Sequence, residues 1–240
     1  MPDVKDEVKA LLFDTWGTLV DWRGSMLEEL RALAQQKHLT FDVEAFLDEW
    51  KGSYKPSMAK VNSGERPWTR IDVLYREALD GLLAKYKIAG LSEPEIDYLN
   101  RSWTRLHPWP DTVAGMTLLK RKYALSPLSN ASFAWLVDMA RFAGLPFDCI
   151  LCAENAHWYK PRPEAYLTAL TLLDLKPAQA MLVAAHNYDL AAARSLGMRT
   201  GFFARPMEFG PGQTQDLRAE QNWDIIADDV IDLAKKMGAA

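Results

Sequence analysis

The sequence lacks the features that would place the protein in a membrane or on a polyanion. Its 240 residues contain no run of about 18 apolar residues, so we expect no transmembrane helix. The first residues carry Asp3, Lys5 and Asp6 without an apolar run, and we expect no secretory signal. The formal net charge is only −4, which gives no indication of a nucleic acid or an anionic membrane as partner.

Cysteine is scarce, since the chain has only Cys149 and Cys152. Their C-x-x-C spacing occurs in redox pairs, which normally sit at the start of a helix. The segment Phe147–Cys152 instead has the pattern of a short buried strand, in which side chains three positions apart point to opposite faces. We therefore expect two reduced thiols without a redox role, which fits a cytoplasmic protein.

The composition is that of a soluble globular enzyme, with 49% hydrophobic and 25% charged residues. The length allows one large domain, or one domain with a sizeable insert. Neither an internal repeat nor a low-complexity segment interrupts the chain.

Two patterns follow each other along the chain. Val8–Phe13 is an apolar run that predicts a buried parallel strand ending at Asp14. From Gly24 to Leu106 only helical periodicity is found, most clearly in a stripe with a spacing of three and four. That stripe consists of Ile71, Leu74, Tyr75, Ala78, Leu79 and Leu82. A helical bundle inserted after the first strand is the simplest interpretation.

After Asp111 predicted strands alternate with helices. The strands are Tyr123–Leu128, Phe147–Cys152, Met181–Ala185 and Arg199–Phe203; the helices are Ser132–Ala143, Pro163–Leu173 and Tyr188–Leu196; a short strand and a closing helix fall within Ile225–Lys236. This rhythm predicts an α/β fold with a doubly wound parallel sheet. We expect a Rossmann-like core at 1–20 and 108–240 and a helical cap at 21–107.

Polar residues follow four of the predicted strands or loops. They are Asp14, Ser129 with Asn130, Lys160 and Asp189. The carboxyl ends of strands in such a sheet converge on one crevice, so we expect these side chains to meet there. A carboxylate is a competent nucleophile, and a nearby lysine keeps it ionised. Each residue alone is equally typical of a helix cap, a turn or the surface, and only the set predicts covalent catalysis.

The set resembles the haloacid dehalogenase superfamily. Asp14-Thr15-Trp16-Gly17-Thr18-Leu19 matches its first motif, Ser129-Asn130 its second, Lys160-Pro161 its third and the Asp189 region its fourth. The resemblance covers nearly the whole chain. It implies a Rossmann-like core with an inserted helical-bundle cap.

Trp16 distinguishes the subfamilies. Phosphatases of the superfamily have at this position a second Asp, which protonates the leaving group and helps to bind magnesium. Tryptophan can do neither, whereas a halide leaves without protonation. The chain is thus similar to the L-2-haloacid dehalogenases (type II), which have an aromatic residue there. Pro108-Trp109-Pro110-Asp111 and Tyr166 extend the similarity.

The resemblance implies a reaction without metal or cofactor. Asp14 would attack C2 of a short 2-haloalkanoic acid with inversion, and water would then cleave the ester to give the 2-hydroxy acid. Lys160 would pair with Asp14, and Asn130 and Asp189 would support the pocket and the hydrolytic step. The substrate-binding residues would be Thr15, Trp16, Thr18, Ser129, Trp109 and Tyr166.

Two departures from the family lead to hypotheses. Motif four has Ala184 and His186 where the family has Ser and Asn, and we expect His186 to take a polar role near the ester or its water. The cap arginine that receives the halide has no counterpart, because Trp50-Lys51 stands at its place. We expect Arg23, at the cap hinge, to supply the cation.

The expected substrates are haloacetates and 2-halopropionates, with halide as product and a homodimer as the assembly. A small-molecule phosphatase of the same fold and a non-catalytic binding protein are the alternatives. Halide release that is insensitive to EDTA indicates the dehalogenase, whereas magnesium-dependent phosphate release indicates the phosphatase.

Overall fold

A computed structural model describes residues 3–240 of the chain. The first two residues of the predicted core lie outside this range. The strands are β1 (Ala10–Phe13), β2 (Val20–Asp21), β3 (His107–Pro108), β4 (Ala124–Ser129), β5 (Leu151–Cys152), β6 (Ala180–Ala184), β7 (Arg199–Phe202) and β8 (Ile225–Ile226). No helix in the described range is long and apolar enough to cross a membrane.

The helices surround this sheet or lie between β2 and β3. They are α1 (Val4–Glu7), α2 (Trp22–Gln36), α3 (Val43–Gly52), α4 (Tyr54–Asn62), α5 (Ile71–Lys85), α6 (Glu93–Asn100), α7 (Thr112–Leu119), α8 (Phe133–Ala143), α9 (Ala153–Ala156), α10 (Pro163–Leu172), α11 (Asn187–Ser195) and α12 (Val230–Lys236). Short 3₁₀ helices span Arg101–Thr104 and Pro177–Gln179.

The main sheet has six parallel strands in the order β5-β4-β1-β6-β7-β8. The four residues of β1 are buried between β4 and β6, which explains why the run is apolar throughout. The predicted α/β fold with a doubly wound parallel sheet is confirmed. The order reverses at β1, so Asp14 follows the strand at the switch point of the sheet.

The region between β2 and β3 is helical, as the periodicity predicts. β2 and β3 pair antiparallel, with Val20 opposite Pro108 and Asp21 opposite His107. This two-residue ladder was not predicted, because strands so short leave no periodicity. It closes the base of the helical segment and brings both ends of that segment beside the loop after β1.

The strand predicted at Phe147–Cys152 is too long. Only Leu151 and Cys152 pair with β4, because Asp148 takes over the contact with the start of that strand. The Asp148 carboxylate accepts from the Leu125 N–H at 2.9 Å, and the Asp148 N–H donates to the Leu125 carbonyl at 2.8 Å. Cys149 and Cys152 are both free thiols, and burial raises the pKa of Cys152 to about 11.

Candidate active site

Asp14 lies at the end of β1 with a buried carboxylate. Its Oδ2 accepts from the Thr18 hydroxyl at 2.7 Å, and Thr18 Oγ1 in turn accepts from the Ala185 N–H at 3.0 Å. The turn between them requires Gly17, whose φ is +88°. Thr18 thus ties the loop after β1 to the end of β6, where motif four begins.

Lys160 faces the other oxygen of Asp14. Its Nζ donates to Asp14 Oδ1 at 3.0 Å and also to Asp189 Oδ2. The second oxygen of Asp189 accepts from the Tyr166 hydroxyl. Asp189 is fully buried and does not line the cavity described below. Asp189 therefore holds the Lys160 ammonium group from the side that faces away from the cavity.

Asn130 fixes the backbone of Lys160. Its Oδ1 accepts from the Lys160 N–H at 2.7 Å, and its Nδ2 donates to the Lys160 carbonyl at 3.4 Å. Ser129, the residue before it, lines the cavity. The hydroxyls of Ser129 and Thr15 lie 2.8 Å apart. Ser129 is thus available to a ligand, while Asn130 and Thr15 support the walls.

His186 lies between two carboxylates. Its Nδ1 is 3.0 Å from Asp14 Oδ2, and its Nε2 is 2.9 Å from Glu208 Oε2. Glu208 also accepts from the Trp22 indole N–H at 3.1 Å. All of these side chains are buried. Glu208 was missed by the sequence analysis, because it comes from an irregular loop after β7 that carries no motif.

The charges of the site shift its pKa values in physically consistent directions. Burial by itself would raise the pKa of Asp14, but the Lys160 charge and the His186 hydrogen bond hold it well below its usual range. Burial would lower the pKa of Lys160, and the Asp14 charge more than compensates, so its pKa is raised. Asp14 is therefore ionised and Lys160 is a cation, as a carboxylate nucleophile requires.

A cavity of about 320 Å³ opens above Asp14. Its walls include Asp14, Trp16, Trp22, Lys51, Tyr54, Ser129, His186, Tyr188 and Glu208. Asp14 and other core residues form one side of the cavity, and helices α2 to α4 form the opposite wall. Trp16 joins the two sides, since its ring lies 5.9 Å from Tyr54, 5.2 Å from Trp103 and 6.3 Å from Trp135.

Lys51 is one of two cations that helices α3 and α4 contribute to the cavity wall, with the exposed Lys55 as the other. The Nζ of Lys51 lies over the rings of Tyr54 at 4.4 Å, Trp22 at 5.0 Å and Trp16 at 5.3 Å. Within residues 3–240 it has no ion-pair partner within 4.0 Å. Burial lowers the pKa of Lys51 to about 8, although the charge of Glu208 opposes this. Rings attract the cation without neutralising it, which leaves its charge available to an anion.

Arg23 does not reach this cavity. Its guanidinium pairs with Asp48 and with Glu44 on the neighbouring helix, and it is absent from the cavity walls. Trp109 also stands outside, with its indole N–H donating to the Gly17 carbonyl at 2.9 Å. Of Arg23 and Lys51, the structure places only Lys51 at the cavity wall. The sequence indicated this position, because Trp50-Lys51 stands where the family has its arginine.

The first-motif residues do not fit a hydrated magnesium ion. The place of a second Asp is taken by Trp16, which is enclosed by aromatic rings. Its buried indole N–H is a donor, and within the described range it has no hydrogen-bond partner. Among the described residues, no group of three or more His, Cys, Asp or Glu side chains is arranged to hold a metal ion.

A family model described as haloacid dehalogenase-like hydrolase matches residues 8–197. Two crystal structures of L-2-haloacid dehalogenases superpose on the chain with a TM-score of 0.94 each. The first is 49% identical and covers 97% of this chain and 100% of its own. The second, a defluorinating enzyme, is 44% identical and covers 96% of this chain and 95% of its own.

Curated relatives include both dehalogenases and phosphatases. The (S)-2-haloacid dehalogenase of Xanthobacter autotrophicus is 25% identical over 82% of this chain and 76% of its own length. A protein of Caldanaerobacter subterraneus assigned as a pyrophosphatase is 30% identical over 92% of this chain and 94% of its own. Both kinds of enzyme share the fold, so the residues around Asp14 must decide between them.

Proposed function

The chain belongs to the haloacid dehalogenase-like hydrolases, and on that premise we propose that it is a hydrolytic dehalogenase of short 2-haloalkanoic acids. The observation that carries the proposal is the pairing of Asp14 with Lys160 below a wall that contains Trp16 and Lys51. The wall offers a cation where a halide leaves and no carboxylic acid where a phosphatase needs one. The high identity to two L-2-haloacid dehalogenases supports the same reaction class.

In the first step Asp14 attacks C2 of the substrate. A C2–O bond forms, the C2–halogen bond breaks, and the halide leaves with the bonding electrons. Lys160 keeps Asp14 ionised, and Asn130 fixes the backbone of Lys160. We expect the Ser129 hydroxyl, which lines the cavity, to bind the substrate carboxylate together with neighbouring backbone amides.

We propose that Lys51, rather than Arg23, receives the halide. Its ammonium group faces the cavity among aromatic rings and is not matched by a carboxylate. A cation that lies among aromatic rings is available to stabilise a halide ion that leaves beside it.

We further propose that residues 21–107 act as a cap over Asp14, that the enzyme is a homodimer, and that it works in the cytoplasm. The cap reading rests on the walls that α2 to α4 contribute to the cavity. Two free cysteines fit a reducing compartment. Light scattering after size-exclusion chromatography measures the assembly, and a monomeric mass would contradict the dimer.

The decisive assay is halide release from fluoroacetate, chloroacetate, bromoacetate and both enantiomers of 2-chloropropionate in the presence of EDTA. We expect halide release that EDTA does not reduce, and none from Asp14→Asn. p-Nitrophenyl phosphate with magnesium is the comparison arm. Phosphate release there, without halide release from any haloacid, would contradict the proposal.

A further inference from the structure

The link from Asp14 through His186 to Glu208 has the geometry of a base held by a carboxylate. We propose that Glu208 is a positioning residue for ester hydrolysis: it holds His186 by Nε2, so that Nδ1 accepts a proton from the water that attacks the Asp14 ester. This rests on the proposed function, because the ester forms only if Asp14 is alkylated.

The distances give each nitrogen of His186 one partner. Nε2 lies 3.1 Å from Glu208 Oε1 and 2.9 Å from Oε2, while Nδ1 lies 3.0 Å from Asp14 Oδ2. Glu208 is held in turn by the Trp22 indole N–H at 3.1 Å. A carboxylate on one nitrogen fixes the ring and the tautomer, and leaves the other nitrogen for proton transfer.

The other candidate base is less accessible. Both oxygens of Asp189 are already bonded, one by Tyr166 and one by Lys160. Asp189 is fully buried and does not line the cavity, whereas His186 does. A water in the cavity can therefore reach His186 without breaking the contacts that hold Lys160.

Alkylation changes the charge next to His186. Before the reaction the ring lies between two carboxylates; burial lowers its pKa, but the charges of Glu208 and Asp14 raise it well above its usual range. The ring is then an imidazolium that donates to both. Ester formation removes the charge of Asp14, which lowers the pKa of His186 and favours release of the Nδ1 proton to solvent. The base is thus freed when an ester is present to be cleaved.

The second step balances as follows. Water gives one proton to His186 Nδ1, and its oxygen attacks Cγ of the Asp14 ester. The tetrahedral intermediate expels the alkoxide, which takes the remaining proton of that oxygen to become the 2-hydroxy acid. Asp14 is again a carboxylate and His186 again an imidazolium. The net proton of the overall reaction is the one released after alkylation.

Glu208→Gln tests the positioning role, with Glu220→Gln as the matched control on an exposed residue of the same region. With 2-chloropropionate and each protein in turn, rapid quench measures the first turnover of halide, and intact-protein mass measures the ester. We expect Glu208→Gln to keep the halide burst within about threefold, to accumulate ester, and to turn over at least tenfold more slowly. Ester decay at the wild-type rate would overturn the inference. A loss of the halide burst as large as the loss of turnover would overturn it as well.

The pH dependence of ester decay separates positioning from structure. His186 contacts Glu208 and Tyr188, and both would remain beside it once Asp14 is esterified. Lys51 and Lys55 line the same cavity, and Lys160 lies on the other oxygen of Asp14. Decay needs neutral His186, so its rate falls at acidic pH. Removing the Glu208 charge lowers the His186 pKa, and the acidic limb is expected at lower pH in Glu208→Gln. If the acidic limb lay at the same pH in Glu208→Gln as in the wild type, the positioning role of Glu208 would be contradicted.

Two further variants keep the test decisive. If thermal melting shows that Glu208→Gln does not fold, Glu208→Asp keeps the charge but shortens the reach, and slow ester decay is again expected. His186→Ala is expected to accumulate ester, and ester decay at the wild-type rate there would refute the base. If the wild type and Glu220→Gln release no halide, the proposed function itself has failed.

Discussion

At the scale of single residues, the proposed reaction assigns Lys51 to the leaving halide. Replacing it by Met keeps its length and apolar packing against Tyr54 and Trp22 but removes the charge. A cation that receives the halide matters most when the leaving group is poor. We therefore expect Lys51→Met to reduce kcat by about tenfold for bromoacetate and about a hundredfold for fluoroacetate. A hundredfold loss corresponds to about 2.7 kcal/mol of transition-state stabilisation.

Steady-state kinetics over the three haloacetates measures this trend. Lys55→Met is the matched control, since Lys55 also lines the cavity but is exposed and lies over Tyr188. If Lys51 bound the substrate carboxylate instead, the loss would be equal for all halogens and would appear in KM. That outcome would contradict the halide role.

The low pKa of Lys51 adds a prediction on pH. Its pKa is lowered to about 8 by burial, so the cation is present below that pH and is lost as pH rises through it. We expect kcat/KM for chloroacetate to fall above about pH 8. In Lys51→Arg the guanidinium stays charged, and the falling limb is expected to move to higher pH. A limb that is identical in both proteins would assign it to another group.

Gly17 shows how tightly the backbone at Asp14 is constrained. It has φ +88°, and a Cβ there would lie 2.1 Å from Glu208 Oε1. We expect Gly17→Ala to displace the Glu208 carboxylate and strain the turn, with a loss of stability of roughly 1–3 kcal/mol. Urea denaturation measures it. Gly212→Ala is the control, because a Cβ there meets nothing within 4 Å, and equal losses would contradict the argument.

Residues of the site differ in how far sequence reveals them. Asp14 and Asn130 converge because strand ends share one edge of a parallel sheet, which the order of predicted strands already implies. Lys160 joins them from the loop between α9 and α10. Glu208 reaches His186 from a loop without periodicity, so no local pattern predicts it. Lys51 depends on which face of α3 packs on the core, and the resemblance indicated only its place in the chain.

At the scale of elements, α4 connects the cavity to the segment before Lys160. Its first residue, Tyr54, lines the cavity, and its last, Asn62, pairs with the backbone of Tyr159. Asn62 Oδ1 accepts from the Tyr159 N–H and Asn62 Nδ2 donates to the Tyr159 carbonyl, both at 3.0 Å. The helical segment between β2 and β3 is therefore fastened to the chain one residue before Lys160.

Removing this contact is expected to loosen the cap. Asn62→Ala leaves two backbone groups of Tyr159 without partners, so we expect a loss of about 1–3 kcal/mol in stability. We also expect roughly tenfold lower kcat/KM, because a displacement of Lys160 by about 1 Å would slow the reaction. Hydrogen exchange of α4 and steady-state kinetics measure the two effects. Ser63→Ala, at the next residue in the chain, is the control. Similar values in both variants would contradict a role for the contact between Asn62 and Tyr159.

Elements were predictable in proportion to their length. The 15 residues of α5 repeat the apolar spacing several times, and the pattern identified that stripe. The two-residue β2 and β3 repeat nothing, so their pairing depends on the fold that brings Asp21 to His107. At Phe147–Ile150 apolar residues mimic a strand, but the Asp148 side chain bonds to Leu125 in place of a backbone ladder.

At the scale of the whole molecule, Arg205 joins parts of the chain that are far apart in sequence. Its guanidinium forms two hydrogen bonds of 2.8 Å to Asp111, and its Nε donates to the Thr18 carbonyl at 2.9 Å. Asp111 also accepts from the Val230 N–H at 2.9 Å. The Arg205–Asp111 pair thus links the loop after β1, the segment after β3, the start of α12 and the loop that carries Glu208.

Asp111→Asn tests whether this link stabilises the fold and the site together. It leaves the buried Arg205 without a matching charge, so we expect a loss of roughly 2–4 kcal/mol in the free energy of unfolding. Slower ester decay is expected as well, because Arg205 anchors the loop of Glu208. Asp80→Asn, which breaks an exposed pair with Arg76, is the control and is expected to cost about 1 kcal/mol or less.

The sign of the pH effect makes the Asp111 prediction specific. Burial would raise the pKa of Asp111, but Arg205 outweighs it and holds the pKa below 3.8. The carboxylate therefore contributes stability above that pH, and the contribution is lost as pH falls through the pKa of the folded protein. Urea denaturation should show a gap between wild type and Asp111→Asn that is full near about pH 7 and narrows below about pH 4. A gap independent of pH would mean that packing, and not the charge pair, makes Asp111 matter.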